Sequence, residues 1–118
     1  MAAKRVIIWH NPKCGTSRKA LEMIRAEGIE PTIVDYVNAP PSVAELKAAL
    51  AEMGSRPRDL LRRRGTPYDE LGLDDDKLTD AALLAAMRAH PILIERPVVR
   101  TAKGTRLCRP VERLKEIL

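Results

Sequence analysis

The stretch Val6-Ile7-Ile8-Trp9-His10-Asn11-Pro12-Lys13-Cys14-Gly15-Thr16-Ser17-Arg18 decides the fold. Its first four residues are apolar and mostly β-branched or aromatic, too few for a helix, and read as a buried strand that His10-Asn11-Pro12 ends. Beyond the loop, Ala20, Leu21 and Ile24 fall at helical spacing as far as Gly28, which suits the close of a helix. Pro31-Thr32-Ile33-Val34-Asp35-Tyr36 then reads as a second strand. A strand, helix and strand in this order give a parallel pair with a right-handed crossover.

Working outward, Ser42-Val43-Ala44-Glu45 has the reciprocal capping-box pattern and opens a helix with Val43, Leu46, Leu50 and Met53 on its apolar stripe, ended by Gly54. Pro57 suits the first turn of a short helix carrying Leu60 and Leu61, and Thr79-Asp80 caps another running to about Ala89. The runs Ile92–Ile94 and Pro97–Thr101, the Lys103-Gly104 turn and Thr105–Cys108 read as an extended loop leading into an antiparallel hairpin. Pro110 starts a last helix to Leu118. The expected fold class is therefore α/β, one mixed sheet with a helical insertion between its second and third strands, in a single domain over residues 1–118.

At 118 residues and 45% apolar content, the chain can fold on a hydrophobic core without a disulfide or a structural metal, which leaves both cysteines for chemistry. No signal sequence and no apolar run of about 20 residues is present, so the expectation is a cytoplasmic, non-membrane protein whose thiols stay reduced. The net charge of +5 suits an anionic partner. With no Phe and only Trp9, Tyr36 and Tyr68 to stack on bases, nucleic acid is not the expected one.

Cys14 lies between the first strand and the first helix, at the strand end where α/β sheets place ligands. A helix N-terminus and neighbouring cations lower a thiol pKa, and Lys13, Arg18 and a protonated His10 are the neighbours that could supply charge. Gly15 permits close approach, and the amides of Gly15, Thr16 and Ser17 can form an anion cradle. The alternative for Cys14 is inert packing, and for His10 a carbonyl-bonded histidine at a strand end; Cys108, in an apolar-to-polar strand, reads as structural. A phosphatase loop would need an arginine where Ala20 stands, and a dithiol motif a cysteine where Ser17 stands. His10 and Cys14 have no second close pair with which to complete a metal site.

Six ordered blocks now identify a family: His10–Arg18, Leu60-Leu61-Arg62, Pro67-Tyr68, Leu71-Gly72-Leu73, His90–Pro97 and Gly104–Pro110. Together they span nearly the whole chain and resemble the glutathione- and glutaredoxin-linked arsenate reductases of the thioredoxin-like superfamily. The resemblance implies a thioredoxin-like four-stranded sheet flanked by helices. It implies that Cys14 attacks arsenate to form a cysteine–arsenate intermediate, with His10 helping to keep the thiol ionised. Arg62, Arg96 and Arg109 would hold the oxyanion, with Arg63 or Arg64 replacing Arg62 if the helix register differs. Pro97 would follow a cis peptide. Glutathione would be co-substrate and glutaredoxin the partner that resolves the mixed disulfide, with no bound cofactor or metal and a monomeric enzyme.

Two other classes stand beside this one. An Spx-like transcriptional regulator that binds RNA polymerase shares the fold, but such proteins usually carry the dithiol that Ser17 interrupts. A monothiol glutaredoxin matches the Cys14-Gly15-Thr16-Ser17 spacing and lacks the remaining blocks. A related thiol oxidoreductase with another substrate is also compatible with the same residues.

Overall fold

A computed structural model of the chain describes residues 5–118. By compactness it divides into two units, one made of the residues up to Ala39 together with Arg96–Leu118, the other of Pro40–Glu95.

The first unit is built on a mixed sheet. Strand β1 (Ile7–His10) pairs in parallel with β2 (Thr32–Asp35), as the intervening helix α1 (Gly15–Ala26) requires. On its other side β1 runs antiparallel to β3 (Val98–Thr101), which forms a hairpin with β4 (Gly104–Leu107). The order β2-β1-β3-β4 puts β1 and β3 at the centre. Ile8 and Val99 face each other in the ladder and pack with Ala20 and Ile24 of α1 and with Leu114 and Ile117 near the C-terminus. Trp9 and Val98, one residue on and so on the opposite face, are buried as well. Central strands buried on both sides explain why Val6–Trp9 reads as a continuous apolar run rather than an alternating one.

The C-terminal segment differs from the helix expected after Pro110. It is a 3₁₀ helix, Val111–Glu116. The Thr101 hydroxyl donates to the Ile117 carbonyl at 2.7 Å and ties the segment to the hairpin. Six residues provide too few i→i+4 bonds to offset the cost of helix nucleation.

In the second unit, Ser42 and Glu45 make both bonds of the capping box at the start of α2 (Val43–Met53), and Gly54 closes it at φ 64°, a conformation glycine adopts without cost. Leu46, Ala49 and Leu50 are buried, whereas Val43, expected on the same stripe, is exposed at the first turn. Pro57–Leu60 is a 3₁₀ turn, and Thr79 caps α3 (Asp80–Ala89), whose Leu83, Leu84 and Met87 face inward. Ile92 lies in a 3₁₀ turn, Pro91–Leu93, rather than an extended loop; Ile94 then bridges to Leu61 in antiparallel fashion. Residues 66–78 have no regular secondary structure. Arg58 holds part of this segment, donating to the carbonyls of Leu73 at 2.9 Å and Asp75 at 3.0 Å. Among the described residues no helix is long and apolar enough to cross a membrane.

Candidate active site

Cys14 is the N-cap of α1. Its backbone is extended (φ −95°, ψ 121°), its carbonyl accepts from the Arg18 amide at 3.0 Å, and its side chain stands beside the unpaired amides of the first turn. The preceding loop is closed by Asn11, whose carbonyl accepts from the Cys14 amide and whose side-chain oxygen accepts from the Lys13 amide, both at 3.0 Å. The strand-end expectation is met with a shift of one residue, since His10 is the last residue of β1 rather than the first of the loop.

Partial burial alone would push the Cys14 thiol up. It is outweighed by hydrogen bonds to the sulfur from the Ser17 amide, from the Arg96 and Arg109 guanidiniums and from the Thr16 amide, so that Cys14 ionises below the ordinary thiol value. Arg109 Nη1 lies 3.9 Å from Sγ and also donates to the Arg96 carbonyl at 3.1 Å, which fixes the guanidinium. The cations acting on the sulfur are thus Arg96 and Arg109 from the far end of the sequence, not the chain neighbours Lys13 and Arg18. Arg18 donates instead to the Pro12 carbonyl at 2.9 Å. Both arginines precede cis peptides, Arg96–Pro97 and Arg109–Pro110, and the second of these was not anticipated from the sequence.

His10 differs from the protonated histidine considered above. It is buried, and that burial, then Arg25, lowers its pKa against a smaller opposing effect of Asp35, with Arg18 lowering it further. A histidine lowered from 6.5 is mainly neutral at pH 7. Its Nδ1 lies 2.6 Å from the Ser17 hydroxyl, and the same hydroxyl accepts from the Asn11 amide at 3.1 Å. Ser17 is fully buried, so its side chain is part of the loop's framework, a role that motif spacing does not reveal. Gly15 is not demanded by neighbouring atoms: a Cβ there would meet only Arg18 Nη2, at an ordinary 3.8 Å.

Arg62 belongs to the second unit, where it pairs with Glu95 at 2.9 Å, both side chains mostly shielded at 15% and 19% exposure, and donates through Nε to the Arg64 carbonyl. Of the three consecutive arginines it is the one held inward. Arg63 is exposed, paired with Asp69 and stacked 5.2 Å over the Tyr68 ring, and Arg64 is exposed. Cys108 is fully buried in the core of the first unit, where desolvation pushes its thiol up to about 12. Among the described residues no cluster of three or more His, Cys, Asp or Glu could hold a metal ion.

Known proteins resemble the chain throughout. A family model described as the ArsC family matches residues 9–117. The arsenate reductase of Escherichia coli (strain K12) is 56% identical over 113 residues, covering 96% of this chain and 80% of that protein. That of Rhizobium meliloti (strain 1021) is also 56% identical, over 96% and 81% respectively. Among solved structures, an arsenate reductase from Vibrio cholerae is similar with a TM-score of 0.94 at 43% identity, covering 99% of this chain and all of that one.

Proposed function

The chain belongs to the ArsC family, and from that premise we propose that it is an arsenate reductase working with glutathione and glutaredoxin. The observation that carries the reading is a thiol at a helix N-terminus, held below its ordinary pKa with a guanidinium 3.9 Å from the sulfur.

In the first step the Cys14 thiolate attacks arsenic, an S–As bond forms, and an arsenate oxygen leaves as water after taking up protons. Arsenic remains pentavalent. Arg96 and Arg109, already at the sulfur, meet the oxyanion as it arrives, and the family's motif adds Arg62. A guanidinium fork matches the oxygens of a tetrahedral anion, and donors fixed in advance stabilise the charge that grows during attack without having to reorganise. The amides of Gly15, Thr16 and Ser17 at the start of α1 add partial positive charge on the same side.

In the second step a glutathione thiolate attacks the Cys14 sulfur. The S–As bond breaks, its electron pair goes to arsenic, and arsenite departs as the trivalent product, leaving a Cys14–glutathione disulfide. A glutaredoxin thiolate then attacks the glutathione sulfur and frees Cys14. The state of Cys108 supports the use of outside thiols, because that cysteine is buried and protonated at neutral pH and so is poorly suited to resolve the intermediate. A compartment that keeps Cys14 reduced, such as the cytoplasm, belongs to this proposal. The regulator alternative lacks its switch, because Ser17 stands where the second thiol would be and is tied to His10.

Purified protein supplied with glutathione, glutaredoxin, glutathione reductase and NADPH should oxidise NADPH only when arsenate is added. Absence of arsenate-dependent oxidation with an active glutaredoxin would end the assignment.

A further inference from the structure

We propose that Ser17 is the positioning residue through which His10 acts on Cys14, its hydroxyl joining the two ends of the nucleophile loop. This rests on Cys14 being the nucleophile but not on the identity of the oxyanion.

The loop enters from β1 at Asn11 and leaves into α1 at Ser17. At the entry, Asn11 sets the conformation of the residues leading to the nucleophile by accepting from the amides of Lys13 and Cys14. At the exit, the Ser17 amide is the strongest of the groups that stabilise the Cys14 thiolate. One atom ties entry to exit, since Ser17 Oγ accepts from the Asn11 amide at 3.1 Å. With that bond made, the hydroxyl still has its own proton to place, and the His10 Nδ1 atom is 2.6 Å away.

That distance suits an O–H···N bond in which neutral His10 accepts at Nδ1 and carries its proton on Nε2; the proton position is assigned from this bonding pattern. Both residues are buried, Ser17 completely and His10 at 7% exposure, so water does not replace the bond when it is lost. Arg25, Asp35 and Arg18 are the charged groups acting on His10, and the net effect together with burial favours the neutral ring. His10 therefore does not lend charge to the thiolate. It fixes the rotation of the Ser17 hydroxyl, which holds the Ser17 and Thr16 amides in register with the sulfur.

The test is the pH profile of Cys14 alkylation by iodoacetamide, a reading that needs no arsenate. Ser17→Ala should raise the midpoint by about 0.5–1 pH unit, leaving about three- to tenfold less thiolate at pH 7. His10→Ala should shift it in the same direction. The double variant should shift it no further than the larger single one, because both break the same chain of bonds. Additive shifts, or an unchanged midpoint in a folded Ser17→Ala protein, would overturn the proposal. If circular dichroism shows that Ser17→Ala does not fold, ¹⁵N NMR of the wild-type His10 ring decides. A protonated Nε2 with Nδ1 accepting a hydrogen bond is expected, and a proton on Nδ1 would overturn it.

Discussion

Cys14 and Cys108 are the same chemical group in two regions of one unit, and their acidities move in opposite directions. At Cys14, partial burial is countered by two amides and two guanidiniums aimed at the sulfur. At Cys108, full burial among Val6, Ile8, Ala20 and Val99 dominates, Glu116 adds to it, and the nearby Arg113 and Arg106 do not offset them. The difference shows that what makes a thiol reactive in this fold is the set of donors directed at it rather than the net charge around it.

The contrast is broken most severely by exchanging the sulfurs for other atoms. Cys14→Ser should reduce arsenate-dependent turnover to the assay background, a loss on the order of 10⁴-fold or more. Cys108→Ala should leave turnover unchanged while lowering the unfolding free energy by about 1–2 kcal/mol for the small cavity created. Comparable losses of turnover in the two folded variants would end the distinction between them. Next in size, Arg109→Ala should reduce kcat/KM for arsenate by about 10²–10³-fold, and Arg109→Lys should recover only part of it, because an ammonium cannot present a planar fork. An Arg109→Ala enzyme with wild-type kcat/KM would show that the guanidinium does not serve the reaction.

Smaller effects sharpen the same comparison. At pH 7 the folded protein should incorporate one carboxamidomethyl group, at Cys14, and the denatured protein two; rapid labelling of both cysteines in the folded chain would contradict the burial of Cys108. The smallest effect is on stability. Cys108 is an acid whose folded pKa is raised, so the protonated thiol favours folding fully below the ordinary thiol value of 9.0. Between 9.0 and about 12 the unfolded chain loses its proton while the folded one keeps it, and stability falls as pH rises through this window. Urea denaturation from pH 8 to 11 should therefore show a steeper alkaline decline for the wild type than for Cys108→Ala. Parallel curves would argue against a strongly raised thiol pKa.

Much of this was legible in the sequence where the signal is local. The Ser42/Glu45 capping box, the Thr79 cap and the hydrophobic run before Cys14 are each set by neighbours within a few residues, and each forms the element its pattern implies. Partners distant in the chain left no such mark. Spacing pointed to Lys13 and Arg18 as the cations for Cys14, yet the groups that act there are Arg96 and Arg109, brought in by β3 and the end of the β4 hairpin; only the family resemblance singled them out. The neutral state of His10 depends on burial, which a strand-end position does not disclose. The Arg62–Glu95 pair joins residues 33 positions apart, and the Ser17 hydroxyl bonds only become visible once the loop closes.

Arg58 gives the second unit a vulnerability of a different kind. Over residues 66–78, which form no ladder, one guanidinium supplies the donors that a neighbouring strand would otherwise provide, capturing the carbonyls on either side of Asp74. Local turn bonds, such as those from the Leu71 and Leu73 amides to the Pro67 and Tyr68 carbonyls, shape the stretch from within, and Arg58 ties its far end back to the turn at Pro57–Leu60. Trimming that side chain would turn the stretch into a preferred site of proteolytic nicking, close in sequence to Leu73, whose apolar side chain is buried.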